Sequence, residues 1–133
     1  PEDPCPNVLA YRPIAHTDAL GRTTDYSYNS RGQLIQQLDP ADANGVRKQT
    51  DITYAINGGG ISVKTLVRVC GGASCAGNAE SRTEYTYLGN TSLPLTVRQV
   101  DEATGQSRTT TYTYDNAGRV LSVDGPLTGT ADA

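Results

Sequence analysis

The residues able to do chemistry are few and scattered. The one histidine, His16, lies close to Asp18 in AHTDALG (15–21), and a histidine beside a carboxylate is a candidate general base. Two positions along a strand that runs into a turn make poor geometry for that pair. No serine or cysteine nucleophile is tied to it by a motif, so His16 reads as a strand-face residue. GGGISVKT (58–65) sets glycines ahead of Lys64 and Thr65 in the manner of a phosphate loop. Val63 stands where the second glycine is required, and the surroundings read as strand, with no helix start to cradle a phosphate. Residues 40–51 bring Asp42, Asn44, Gly45 and Asp51 to the offsets of a calcium loop, but Pro40 occupies the first ligand position and flanking helices are missing. A turn is the better reading there.

Cysteines stand at positions 5, 70 and 75. In RVCGGASCAGN (68–78) small residues separate Cys70 from Cys75, a spacing that closes into a disulfide in an oxidising compartment. Two free thiols, or half of a zinc site lacking its other ligands, are the rival readings. Cys5 is left over, free or paired with a part of a longer chain. Asn90-Thr91-Ser92 is a glycosylation sequon that matters only in a eukaryotic secretory route. No set of residues assembles a metal site, a cofactor site or a catalytic centre, and an enzyme is not expected.

The bulk numbers agree. With 11 Lys and Arg against 14 Asp and Glu, a net charge of -3 and the basic residues dispersed, the 133-residue chain carries no footprint for nucleic acid. No apolar run approaches the roughly 20 residues that cross a bilayer, so membrane insertion is not expected. Hydrophobic residues make up 36% and aromatics 6%, which suits a thin or elongated sheet better than a compact globule. The chain begins at Pro1 and reads as a piece of something longer, with any export signal outside it.

What remains is tyrosine. There are eight, with no Phe and no Trp. Tyr26 and Tyr28, Tyr54, Tyr85 and Tyr87, and Tyr112 and Tyr114 fall in one repeating phrase, seen in TTDYSY (23–28), TEYTY (83–87) and TTTYTY (109–114). The period of two is strand spacing. Thr and Tyr favour a pleated surface, with the tyrosines on one side and the threonines on the other. Apolar residues at helical spacing are nowhere supported by a capping signal.

Turn grammar follows the tyrosines. DALG (18–21), NSRG (29–32) and DNAG (115–118) put Asp or Asn first and Gly fourth, so Asp18, Asn29 and Asp115 can bond their side chains to the backbone while Gly21, Gly32 and Gly118 take up the left-handed conformation. DEATG (101–105) is one residue longer. Return strands are expected at 33–38, 61–69, 94–100 and 119–123. In the first, apolar residues at 34, 35 and 38 call for a bulge near Gln36 or Gln37 to keep one face. The second turn is expected to be looser, as AINGGG (55–60), the third is replaced by LGNTSLP (88–94), and DPADANGV (39–46) is expected to be a longer connection able to hold a single helical turn.

The stretches GRTTDYSYNSRGQL (21–34) and TYTYDNAGRV (111–120) resemble the bacterial RHS repeat, or YD repeat, whose core runs Gly-Arg-x-x-x-Tyr-x-Tyr-Asp-x-x-Gly-Arg-Leu. The resemblance covers 14–126, strongest at the first and last packages and weak across 40–80. The second package lacks the first tyrosine and the Asp turn, and the third lacks the turn, so irregular pairing is expected in the centre. The resemblance implies an all-β fold, an antiparallel sheet of successive β-hairpins forming an open curved sheet or one panel of a larger β-shell. It divides the chain into an N-terminal flank (1–13), four degenerate repeats forming one β domain (14–126) and a flexible tail (127–133). Members of the family are secreted or displayed on the bacterial cell surface, and the shell of longer members encloses a C-terminal toxin or effector domain. The expected role is therefore structural, with flanking repeats and that C-terminal domain of a parent protein as partners, and with self-association through uncovered strand edges. A module that binds carbohydrate or another cell-surface ligand through exposed tyrosines is the alternative.

Overall fold

A computed structural model describes residues 12–72, 75 and 79–125 of the chain. The expected flexible tail, most of the N-terminal flank and Cys5 lie outside the described residues. Nine strands follow in chain order: β1 (Ala15–Thr17), β2 (Thr23–Tyr28), β3 (Leu34–Leu38), β4 (Gln49–Ile56), β5 (Ser62–Cys70), β6 (Ala79–Tyr87), β7 (Pro94–Asp101), β8 (Ser107–Tyr114) and β9 (Val120–Asp124). Their order in the sheet is their order in sequence, so each strand pairs with the one before it and the sheet stays open at β1 and at β9. No helix occurs among the described residues. The fold is all-β and built of antiparallel hairpins.

The chain forms two compact units, Pro1–Ile52 with Val69–Ala79, and Thr53–Arg68 with Glu80–Ala133. In the first, β1 meets β2 with Thr17 opposite Thr23, and β3 meets β4 with Gln36 opposite Asp51. Arg47 ties the strand ends together: its guanidinium donates to the Asp25 carboxylate at 2.6 Å and to the carbonyls of Asp39, Thr23 and Leu38 at 2.6, 2.8 and 3.0 Å. Every donor direction of this planar fork that points into the sheet meets an oxygen, which suits Arg and would not suit Lys. Cys70 is fully buried and bonded to Cys75, with their Cα atoms 5.3 Å apart.

In the second unit β6, β7, β8 and β9 form a continuous meander, with Tyr85 opposite Val97, Val97 opposite Thr110, and Tyr112 opposite Val123. Only Val63, Cys70 and Val100 are buried hydrophobic residues among those described. Stability in such a thin sheet rests on strand pairing and half-covered faces more than on a central core.

At the irregular places one expectation holds and two need correction. The bulge expected near Gln36 or Gln37 is present: pairing steps from Ser27 with Gln36 to Tyr28 with Leu34, so the bulged residue in the first return strand is Ile35, next to Gln36. The same step recurs at Leu95 and at Leu121. The extra residue of each of these three bulges lets two consecutive apolar residues oppose the second tyrosine of the hairpin. Segment 39–46 holds no helical turn: Asp42 to Val46 form a five-residue hairpin-type turn with Gly45 at φ 79°. Nor is the AINGGG turn loose. Asn57 closes it with two side-chain bonds, and Gly58 and Gly59 pack so closely on Asn90 that an added Cβ would lie 2.6 and 2.8 Å from its atoms.

Candidate functional site

The recurring unit is a tyrosine strand, a five-residue turn and a bulged return strand. Its turn is built the same way five times, at 18–22, 29–33, 42–46, 57–61 and 115–119. In each, the backbone N–H of the Asp or Asn at the first position donates to the carbonyl of the fifth residue and its own carbonyl accepts the amide of the fourth, as in Asp115 N–H to the Arg119 carbonyl at 2.9 Å and Gly118 N–H to the Asp115 carbonyl at 3.0 Å. The Oδ1 atom then accepts the amides of the third and fifth residues: Leu20 and Arg22 on Asp18, Arg31 and Gln33 on Asn29, Asn44 and Val46 on Asp42, Gly59 and Ile61 on Asn57, and Ala117 and Arg119 on Asp115. The fourth residue is glycine each time, with φ between 73° and 79°. A side chain in this region costs about 1–2 kcal/mol, which fixes the residue type at Gly21, Gly32 and Gly118.

Two of the five turns carry a further clamp. The Arg22 and Arg119 guanidiniums donate to Oδ2 of Asp18 and Asp115 at 2.8 Å. The bonds from backbone amides and from these arginines hold both carboxyls below the usual carboxylate range. Asp101 starts the longer variant, accepting Ala103 and Thr104 amides while Gly105 closes on its carbonyl.

The tyrosines serve a second purpose. The hydroxyl of Tyr28 donates to the Pro13 carbonyl at 2.9 Å, that of Tyr87 to the Lys64 carbonyl, and that of Tyr114 to the Pro94 carbonyl at 2.6 Å. In each of these bonds the second tyrosine of a package reaches back to backbone that comes before its own strand in the chain. Phenylalanine would cover the same surface but leave the carbonyl unmet, which gives a reason for tyrosine at Tyr28, Tyr87 and Tyr114. All seven package tyrosines, Tyr26, Tyr28, Tyr54, Tyr85, Tyr87, Tyr112 and Tyr114, are half-buried. Their neighbours Ser27, Thr53, Thr86 and Thr113 are exposed. Arg12 lies 5.5 Å over the Tyr28 ring and Lys64 4.7 Å over that of Tyr85. Burial raises the Tyr87 phenol above its ordinary value, and the phenols of Tyr85 and Tyr54 push the same way.

The opposite face is polar and equally regular. Facing hydroxyls bond across the strands at Thr17 with Thr23, Thr86 with Thr96, and Thr113 with Ser122, at 2.9, 2.6 and 2.6 Å. Arg82 sits between Glu84 and Glu102 at 3.0 and 2.9 Å, and Arg98, directly opposite Glu84, pairs with it at 3.1 Å. His16 faces Thr24 on exposed β1, while the Asp18 carboxylate is engaged by its own turn and by Arg22. The pair that sequence alone puts forward as a base is thus engaged elsewhere, His16 opposite Thr24 and Asp18 by Leu20 and Arg22.

Sequence reasoning read AINGGG as a looser turn and 39–46 as a longer connection, and so did not see that Asn57 and Asp42 lead turns of the same build as the other three. The bare pattern Asp or Asn, two free positions, then Gly, would have found both.

The family model described as "RHS Repeat" matches residues 12–43. Over that stretch the chain is similar to an RHS repeat. The matched segment runs from Arg12 through β1, β2 and β3 into the turn led by Asp42, and so includes a full tyrosine strand, its turn and its bulged return. The hairpin β8–β9 repeats that hairpin geometry outside the match, with Tyr112, Tyr114, Asp115, Gly118 and Leu121 in the places of Tyr26, Tyr28, Asn29, Gly32 and Ile35. No curated protein matches the chain.

Proposed function

We propose that the chain is a structural repeat module, one panel of a β-strand wall that encloses or displays a C-terminal effector or toxin domain of a larger protein secreted by a bacterium or held at its surface. The observation that carries this reading is the recurrence of one hairpin geometry, down to the bulge at Ile35, Leu95 and Leu121, in strands that pair strictly with their sequence neighbours. Each package supplies its successor with a strand edge, and two of them, through Lys64 and Pro94, also supply a carbonyl for a tyrosine hydroxyl, so order passes along the row. The RHS Repeat match supports a structural role in general terms. The enclosing wall and the parent protein's flanking repeats are the finer part of the proposal.

Recognition of glycans by the tyrosines draws less support, since all seven rings are half-buried and three hydroxyls are already engaged. Replacing Tyr112 or Tyr114 separates the two roles. Loss of the folded state, followed by circular dichroism and urea denaturation, is the expected result. An intact fold together with lost retention on a glycan array would reverse the choice. For the wall itself, proteolysis of the parent protein should leave the segment beyond the repeats protected until the repeats unfold, and early cleavage of that segment would contradict enclosure.

A further inference from the structure

We infer that the outer edge of β9 is a docking site for one specific kind of strand, a Thr-x-Tyr-x-Tyr strand from a further package, in a register that the rest of the sheet already defines. This rests on the structural-module reading above and names the partner of one edge. Among the described residues nothing pairs with that edge. Val120, Leu121 and Val123 are 55%, 67% and 42% exposed, whereas their counterparts Pro94, Leu95 and Val97 in β7 are half-buried beneath the next strand.

The register follows from two observed cases. In β3 to β4, Gln36, the residue after the bulge, faces Asp51, three positions before Tyr54. In β7 to β8, Thr96, again the residue after the bulge, faces Thr111, three positions before Tyr114. The residue after the bulge in β9 is Ser122. A docked strand therefore sets the residue three before its second tyrosine opposite Ser122. The Val120 carbonyl corresponds to the Pro94 carbonyl, because both residues face the second tyrosine of their own hairpin, Tyr114 and Tyr87. Pro94 receives the Tyr114 hydroxyl, so Val120 receives the hydroxyl of the incoming second tyrosine. A second copy of this chain is a poor donor. Its tyrosine strands β2, β4, β6 and β8 all have neighbours on both sides, and its edges are β1 and β9.

The test uses the full chain and a fluorescent synthetic peptide of the sequence SRTTTYTYDNAGR, residues 107–119. Saturable anisotropy is expected, and a peptide carrying Tyr114→Phe should bind about five-fold more weakly, the loss of one neutral hydrogen bond. For register, the protein carries Ser122→Cys in a Cys5→Ser background, and peptides carry a cysteine at one position each. Disulfide capture should be several-fold greater for Thr111→Cys than for Thr110→Cys or Tyr112→Cys, because only directly facing positions meet the required separation. No saturable binding would overturn the docking site, and equal capture at the three positions would overturn the register. Full binding by the Tyr114→Phe peptide would remove the role given to Val120. Ser122→Cys dimers that the peptide fails to displace would show that copies pair with each other there instead. None of these results bears on whether Tyr114 holds the chain's own fold, so failure here and failure of the structural-module reading are told apart.

Discussion

β7 and β9 are written from the same phrase and live in different surroundings. Both begin after a turn, both bulge at a leucine, and both present a valine opposite the first tyrosine of their hairpin, Val97 to Tyr85 and Val123 to Tyr112. β7 then receives β8 on its far side, and the Tyr114 hydroxyl caps the Pro94 carbonyl. β9 receives nothing among the described residues, and Leu121 is 67% exposed where Leu95 is half-buried. The intrinsic preferences of the two strands are alike, so the difference measures what a neighbouring strand contributes.

The largest way to break the comparison is to make β7 resemble β9. Tyr114→Ala removes a half-buried ring and the cap on Pro94, and should cost about 2–3 kcal/mol. Urea denaturation is expected to show this loss, and amide exchange should show β8 and β9 opening before β6 and β7. Next comes the paired truncation. Leu95→Ala should lose about 1–2 kcal/mol while Leu121→Ala stays within about 0.5 kcal/mol, because little apolar area at Leu121 is withdrawn from water. Equal losses at the two leucines would mean that β9 is covered by something, and the comparison would fail.

The hydroxyl alone gives a smaller effect. Tyr114→Phe should cost about 1 kcal/mol through the unmet Pro94 carbonyl, whereas Tyr112→Phe, whose hydroxyl makes no such bond among the described residues, should be close to neutral in the same denaturation experiment. If both substitutions are neutral, the preference for tyrosine over phenylalanine needs another cause.

The strands, their faces and three of the five turns were legible because each is encoded locally: period-two Thr and Tyr for the strand, Asp or Asn with Gly for the turn. What was not legible depended on a partner distant in sequence. The bulge was legible near Gln36 or Gln37 but its residue, Ile35, was not, because Gln37 and Val123 occupy the same place with different polarity, and only pairing to Tyr26 and Tyr112 shows their equivalence. AINGGG looked loose because glycine is permissive. In fact Gly58 and Gly59 give Asn90 room to approach, and Asn57 Nδ2 donates to the Thr91 carbonyl at 3.1 Å. The exposed polar groups of the candidate base, His16 and Asp18, illustrate the reverse error that sequence invites: proximity along the chain says little once a turn has claimed the carboxylate.

The smallest expected effect concerns acid. Backbone amide bonds, with Arg22 and Arg119, hold the Asp18 and Asp115 carboxyls below the ordinary carboxylate range. A carboxyl with a folded-state pKa below its unfolded one contributes stability that is present above the unfolded value and is lost as pH falls through the folded value. Both hairpin ends should therefore loosen below about pH 4, an unfolded carboxylate's range. Global denaturation would blur this among 14 carboxylates, so the reporter should be local, the amide shift and exchange of Arg119. Asp115→Asn should keep the turn, because Asn29 makes the same pair of amide bonds with its side-chain oxygen. It should also remove the acid transition at Arg119 while leaving that at Arg22. A transition at Arg119 that persists in Asp115→Asn would place the responsible proton elsewhere and separate the two ends of the β8–β9 comparison from their turn.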